Sequence, residues 1–166
     1  MKNTLTDNIL NICQILSKHS VEYLIVGGAA VALHGYFRPS VDSVENFADK
    51  PDLDFWYNPT YSNYFNLLNA FNELELDVEE FKNEAEPNPK KSFFKFESEN
   101  FTLDFLPTLK GLTKFNNSFR NKEVVNLLGT EIWFIGYHDL IKDKQENPRP
   151  KDLTDIEQLK NRRNGQ

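Results

Sequence analysis

The sequence predicts one α+β domain in which a mixed β-sheet is flanked by helices, with further helices at its C-terminal end. Short apolar runs typical of strands alternate along the chain with segments of helical periodicity. The chain has 166 residues, and a chain of this size buries roughly 68–70% of the surface that it exposes when unfolded. Fourteen Phe, six Tyr and two Trp residues are available to fill the core. We therefore expect a single domain over residues 1–166.

The N-terminal segment predicts a helix, a strand and a second helix. Apolar residues recur at helical spacing from about residue 4 to residue 19. Residues 23–26 (Tyr-Leu-Ile-Val) are too few and too β-branched for a helix and predict a buried strand. Residues 29–34 are strong helix formers, and Gly35 is suited to end that helix. The order strand, glycine turn, helix is the order that a phosphate-binding turn requires.

The segment 29–51 separates that turn from the next strand and includes a predicted inserted loop. Residues 40–51 are polar, and prolines lie at positions 39 and 51. A substrate lid and a plain surface loop are the two interpretations of this insertion.

The middle of the chain predicts a strand, a helix and a hairpin. Residues 52–57 alternate as a strand does, and residues 58–60 (Asn-Pro-Thr) form a turn that caps a helix over 61–74. Residues 92–96 and 100–106 are two extended runs that predict an antiparallel hairpin.

The C-terminal part predicts a second hairpin and two helices. Its strands are residues 123–128 and 131–135, and its helices are residues 138–145 and 151–162. We expect residues 160–166 to be a frayed tail. The C-terminal helices are expected to cover a groove near one edge of the sheet.

Three aspartates on two predicted strands point to a metal site. Asp52 and Asp54 are two residues apart, so the strand period places both carboxylates on one face of the sheet. Asp104 repeats this pattern on another strand, again between apolar neighbours. Adjacent carboxylates repel each other unless a cation lies between them, and hard oxygen ligands suit Mg²⁺ or Mn²⁺. The three carboxylates are expected to meet at one point and to bind such an ion together with substrate phosphates.

Gly27 and Gly28 lie where a strand ends and a helix begins. Without a Cβ, their backbone can approach phosphate oxygens closely, and their N–H groups lie at the positive end of the following helix. A tight turn that needs glycine only for its dihedral angles is the alternative, and the downstream acids favour the phosphate interpretation.

The charge distribution is uneven along the chain. The net charge is −6, from 19 basic and 25 acidic residues, which argues against broad nucleic-acid affinity. Residues 41–104 contain fifteen acidic and five basic residues, whereas residues 142–166 contain five acidic and seven basic ones. A basic C-terminal segment folded over the acids would supply positive groups for a triphosphate.

Cysteine use and hydropathy exclude other classes of protein. Cys13 is the single cysteine, so neither an internal disulfide nor a thiolate cluster is available. No apolar run reaches the length of a membrane span, and the N-terminus lacks the apolar region of a signal peptide. We expect a cytoplasmic protein without a membrane partner.

In these motifs the chain resembles the nucleotidyltransferase superfamily, and within it most closely the minimal nucleotidyltransferase branch of AbiEii-type abortive-infection toxins. Members have a glycine turn after a strand, then a strand with paired acids, then a third acid. The matching segments are Val26-Gly-Gly-Ala-Ala-Val-Ala-Leu-His-Gly-Tyr36, Arg38, Asp52-Leu-Asp54, Asp104, Leu140-Ile-Lys-Asp-Lys144 and Arg149-Pro-Lys-Asp-Leu-Thr-Asp155.

The resemblance implies the nucleotidyltransferase fold and a Mg²⁺-dependent transfer of NMP from an NTP to a hydroxyl acceptor, either RNA (tRNA included) or protein. It implies that Asp52, Asp54 and Asp104 bind metal and act in catalysis, with Asp104 helping to ionise the acceptor. Lys144 matches a catalytic lysine upstream of a basic-Asp-x-x-Asp signature, with Lys142 as the alternative. The nucleotide-binding residues implied are Gly27, Gly28, Arg38, Lys144 and Lys151. For Arg38 the alternative is a pair with a carboxylate of the acid cluster, and for Lys151 it is a surface ion pair with Asp155. A toxin role with an antitoxin partner follows from the same resemblance.

Two departures leave alternatives open. Ala29 stands where many members carry Ser or Thr, and the gap between the glycine pair and Asp52 is long. The main alternative is a non-catalytic protein of this fold that binds a nucleotide or a partner. A carboxylate-metal nuclease or other phosphohydrolase would use the same acids with water as the nucleophile.

Overall fold

A computed structural model describes residues 5–35 and 51–165 of the chain. Within these residues the strands are β1 (Tyr23–Val26), β2 (Asp52–Tyr57), β3 (Phe94–Glu97), β4 (Thr102–Leu106), β5 (Glu123–Leu127) and β6 (Thr130–Phe134). The helices are α1 (Leu5–Lys18), α2 (Gly27–His34), α3 (Tyr61–Glu73), α4 (Glu79–Lys82), α5 (Phe115–Arg120), α6 (Tyr137–Gln145) and α7 (Pro150–Asn164). Arg38 and most of the predicted insertion lie outside the described residues.

The six strands form one mixed sheet in the order β3-β4-β2-β1-β6-β5. Both predicted hairpins are confirmed, because β3 pairs antiparallel with β4 and β5 pairs antiparallel with β6. At the centre, β1 is antiparallel to β2, while β2 and β4 are parallel. The predicted α+β class with a mixed sheet and flanking helices is therefore confirmed.

The two faces of the central strands differ in chemistry because side chains alternate along each strand. One face carries Phe55 and Phe105, whose stacked ring centroids are 4.7 Å apart, and Phe71 of α3 packs edge-on against Phe105 at 4.8 Å. All three rings are fully buried. The opposite face carries Asp54 and Asp104, so the aromatic core supports the acidic face from behind.

Helices α2 and α7 lie near the acidic strands. Helix α2 contacts β1 and β2 and also packs on α6 and α7, and α6 packs on α7. The acids lie on β4 and β2, the second and third strands from the β3 edge of the sheet, in agreement with the expected position toward one edge. A groove covered by the C-terminal helices stays a prediction.

The predicted tail at residues 160–166 is largely helical, since α7 continues through Asn164. Leu159 is buried, and the guanidinium carbon of Arg163 lies 4.2 Å from the centroid of the Tyr137 ring. These contacts anchor the last turns of α7 to α6. Within the described ranges, no helix is both long and apolar enough to cross a membrane.

Candidate active site

The strand registers place four side chains in one row across the sheet. Val26 of β1 pairs with Asp54 of β2, Asp54 pairs with Asp104 of β4, and Asp104 pairs with Lys95 of β3. Directly paired residues on neighbouring strands point to the same face of the sheet. The predicted juxtaposition of Asp54 and Asp104 is therefore present, and the positively charged side chain of Lys95 lies next in the row, on the outer strand β3.

Asp52 lies in the adjacent row, where it pairs with Thr102. The Thr102 hydroxyl donates a hydrogen bond to the Asp52 carboxylate. This bond turns Asp52 along the sheet toward β4. Among residues 5–35 and 51–165, no three acidic, histidine or cysteine side chains converge as ligands for one metal ion. The expected meeting of all three carboxylates at one point is thus not found.

Burial and mutual repulsion shape the ionisation of the acids. Burial, followed by the charges of Asp104 and Asp52, raises the pKa of Asp54 from 3.8 to about 6. Burial also raises the pKa of Asp104, while the positive charge of Lys95 opposes that rise. One buried oxygen of Asp104, Oδ1, has no hydrogen-bond partner among the described residues. Such an unsatisfied carboxylate oxygen beside a second carboxylate fits a Mg²⁺ ion, which takes one or two protein carboxylates and completes its shell with water and phosphate.

Gly27 is required by its contact with Asp54. Its φ is +66°, a left-handed value that side chains disfavour, and a Cβ built there would lie 2.5 Å from Asp54 Oδ2. The backbone thus passes directly over the carboxylate at the point where α2 begins. Around Gly28, by contrast, a Cβ would have nothing within 4 Å. At position 27, therefore, the backbone dihedral angle requires glycine. At position 28 it does not, and the absent side chain leaves open space at the N-terminus of α2.

Gly27→Ala is expected to lower the free energy of unfolding by about 1–3 kcal/mol, because it adds left-handed strain and a clash with Asp54. Gly28→Ala is the matched control and should be neutral or stabilising by up to about 1 kcal/mol, since Ala is the better helix former. Urea unfolding of both variants measures the difference. Equal stability of the two variants would contradict this account of Gly27.

Lys144 lies in a buried ion-pair network between α6 and α7. Its Nζ is 2.9 Å from Asp155 Oδ2 and 3.4 Å from Asp152 Oδ1, and the three side chains are only 6%, 15% and 10% exposed respectively. Asp155 therefore pairs with Lys144 across the two helices. The structure places Lys144, which the sequence singled out as a phosphate ligand, between two carboxylates, while Lys142 is exposed.

Asp152 also holds Arg149 at the start of α7. The backbone N–H of Arg149 donates to Asp152 Oδ2 at 3.0 Å, and its Nε donates to the same oxygen at 3.1 Å. These bonds hold the pKa of Asp152 well below its usual range. Asp152 thus links the buried Lys144 to the exposed Arg149 and closes a capping box at the N-terminus of the helix.

Charged residues at the start of α7 also act electrostatically on Asp54. The positive charge of Lys151 lowers the pKa of Asp54, though less than burial and the acids raise it. The pKa of Arg149 is raised mainly by its bond to Asp152 and to a smaller extent by the charge of Asp54. Arg149 was not among the residues predicted for the site. Its position two residues before Lys151 was the available signal.

Comparisons with solved structures show which fold this arrangement belongs to. The lincosamide antibiotic adenylyltransferase LnuA with lincomycin bound is 16% identical with a TM-score of 0.60, over 96% of this chain and 98% of that one. The antibiotic-resistance factor ANT(2'')-Ia is 13% identical with a TM-score of 0.55, over 95% and 84%. A nucleotidyltransferase-like protein of Paracoccidioides brasiliensis is 12% identical with a TM-score of 0.50, over 94% and 76%.

The chain therefore has the nucleotidyltransferase fold. No family model matches it, and no curated protein matches it in sequence. At these low identities the likeness to solved structures establishes the fold, and it does not separate the AbiEii-type branch from others.

Proposed function

We propose that this chain is a Mg²⁺- or Mn²⁺-dependent nucleotidyltransferase that moves NMP from an NTP to a hydroxyl acceptor. The observation that carries the proposal is the paired register of Asp54 and Asp104, with the Gly27 turn above Asp54. Two neighbouring carboxylates, whose pKa values are both raised by burial, form a site that favours a cation. The glycine turn and the basic start of α7 flank this site and suit a polyphosphate.

Asp54, together with Asp52 or the free oxygen of Asp104, would hold the ion. When bound, the ion supplies positive charge that stabilises the transferring phosphoryl group. The N–H groups at the start of α2 bind phosphate oxygens, and Arg149 and Lys151 offset the remaining charge of the triphosphate.

Asp104 accepts the proton of the acceptor hydroxyl. The acceptor oxygen then forms a bond to the α-phosphorus, and the bond from that phosphorus to the oxygen bridging to the β-phosphorus breaks. Pyrophosphate leaves with the bridging oxygen. The N–H groups at the start of α2, together with Arg149 and Lys151, orient the NTP so that the attacking oxygen and the leaving pyrophosphate are in line.

Lys144 enters this proposal with a changed role. Its ion pairs with Asp152 and Asp155 leave it shielded from an incoming phosphate. Lys144 instead positions the start of α7. Arg149, at the start of that helix, contacts the phosphate directly in its place. Arg38, which lies outside the described residues, is retained as a further nucleotide-binding candidate.

Transfer of label from each α-labelled NTP to total RNA and to total protein tests the proposed activity. Asp54→Asn is expected to lower transfer by at least about 10³-fold, because an ion that stabilises the transition state by several kcal/mol loses its central ligand. Asp77→Asn is the matched control, since Asp77 is exposed and accepts a hydrogen bond from the backbone N–H of Glu79 through an oxygen that Asn retains. Equal transfer by the two variants would remove Asp54 from the mechanism.

The second candidate function is nucleotide or partner binding without catalysis. The enclosed state of Lys144 and the presence of Ala29 in place of a hydroxyl residue favour it. Detectable NTP binding without any label transfer would support this function.

The acceptor classes under the main proposal remain RNA, tRNA included, and protein.

A toxin role restrained by an antitoxin protein is a further part of the proposal, and it rests on the resemblance of the motifs. Expression of the chain alone in a bacterial host tests it. Normal growth with undiminished transferase activity in the cell extract would exclude the toxin role and leave the enzyme assignment in place.

A further inference from the structure

Lys95 is placed on the acidic face of the sheet by the alternation of β3. Phe94 is fully buried in the aromatic core and Phe96 packs against it, so the residue between them points to the opposite face. Lys95 pairs in register with Asp104. Its positive charge acts on that carboxylate, since it lowers the pKa of Asp104 against the effect of burial.

The row of side chains has two chemically different ends. At the β1 end, Gly27 lies over Asp54, and the charges of Arg149 and Lys151 also act on Asp54. This is the end that suits a triphosphate. At the β3 end, beyond Asp104, the row continues to Lys95. Since neighbouring strands are about 4.8 Å apart, Lys95 is separated from Asp54 by one full strand.

Lys95 is exposed and has no hydrogen bond or ion pair within 4 Å to the residues that the structure describes. An ammonium group without a close partner, next to the acid that receives the acceptor's proton, is available to an incoming molecule. The chain as a whole carries a net charge of −6. Binding of an anionic acceptor therefore depends on the few cations that lie close to the site.

We propose that Lys95 is a specificity-determining residue on the acceptor side, where it binds a phosphate next to the attacking hydroxyl. The proposal rests on the proposed transferase function and narrows its acceptor to a polynucleotide with a free terminal hydroxyl. A phosphodiester adjacent to the terminal sugar supplies the negative charge that Lys95 faces. A neutral or cationic acceptor would gain nothing from this residue.

Binding of end-labelled bulk bacterial tRNA, whose 3′ ends are single-stranded, tests this role without requiring turnover. Affinity is measured with the full chain from about 50 to 200 mM KCl. Lys95→Ala is expected to weaken binding about tenfold at the lowest salt, as loss of one charged hydrogen bond does. The slope of log affinity against log salt should fall in magnitude by about 0.7, the value for one phosphate contact on a single strand.

Two further variants separate a phosphate contact from a structural effect. Lys95→Arg should retain most of the affinity and the salt slope, because it keeps the charge. Lys90→Ala removes the same charge from an exposed turn before β3, at the opposite end of the sheet from Asp52, and should bind as the unmodified chain does.

The proposal is overturned if Lys95→Ala and Lys90→Ala share one affinity and one salt slope, as they would if Lys95 only protected an edge strand from pairing. It is also overturned if the unmodified chain fails to bind tRNA at low salt, or transfers label to protein alone. Binding of NTP is measured in parallel and should be equal in the Lys95→Ala variant and the unmodified chain. If the unmodified chain does not bind NTP, the proposed function itself is rejected.

Discussion

Replacing Lys144 with Ala is expected to lower the free energy of unfolding by about 3–5 kcal/mol. The substitution leaves the carboxylates of Asp152 and Asp155, only 10% and 15% exposed, without their shared cation. An uncompensated buried charge costs more than the ion pair itself contributes, because the remaining group keeps its desolvation penalty. Asp152 would retain Arg149, so the larger share of the loss should arise at Asp155.

Urea unfolding followed by circular dichroism measures this loss, and Lys142→Ala is the matched control. Lys142 lies on the same helix but is exposed, so its loss should change the stability by less than about 0.5 kcal/mol. A combined Lys144→Met, Asp155→Leu substitution should recover much of the stability, since an apolar pair can replace a buried ion pair. If Lys144→Ala is as stable as Lys142→Ala, the network contributes nothing to the fold.

Replacing Asp54 with Asn is expected to stabilise the metal-free protein at neutral pH while it removes activity. The folded state raises the pKa of Asp54 from 3.8 to about 6, so between these two values the folded state binds more protons than the unfolded state. Stability of the unmodified chain therefore falls as pH rises from about 4 to about 6. Asn has no such titration, and the variant should be more stable above that range by up to about 3 kcal/mol.

The measurement is urea unfolding in EDTA at several pH values for Asp54→Asn and for Asp77→Asn. The advantage of Asp54→Asn should vanish near pH 4, where Asp54 is protonated in the folded state, and reach its full size above pH 7. Added Mg²⁺ should stabilise the unmodified chain and the Asp77 variant more than the Asp54 variant. An advantage that is equal at pH 4 and pH 7 would show that Asp54 does not titrate as the site requires.

Strong periodicity explains why most elements could be predicted. Strand β1 and the two hairpins follow apolar or alternating runs bounded by turns, and α1 follows a long amphipathic pattern. The short helices α4 and α5 were missed because one turn or so of helix gives too few residues for a period. The prediction of a frayed C-terminal tail is wrong, because the polar composition of these residues does not reveal contacts such as that of Arg163 with Tyr137.

The candidate site could be predicted only in part from the sequence. Period-two spacing identifies which residues of one strand share a face, whereas the nearness of Asp54 to Asp104 depends on the register between β2 and β4. Register between strands is a tertiary property, and it was needed to find Lys95 beside Asp104. The partners of Lys144 likewise depend on how α6 packs on α7, which local spacing does not specify.

The parallel pairing of β2 with β4 has a consequence for how the site is assembled. Asp54 and Asp104 are joined by a crossover that includes α3, α4 and β3, so their contact closes a loop of about fifty residues. Contacts of such long range form slowly compared with hairpins and helices. The two hairpins should therefore form before the pairing of β2 with β4, and a chain with only local structure has no paired acids. Under the proposed function, affinity for a divalent cation would then mark completed folding.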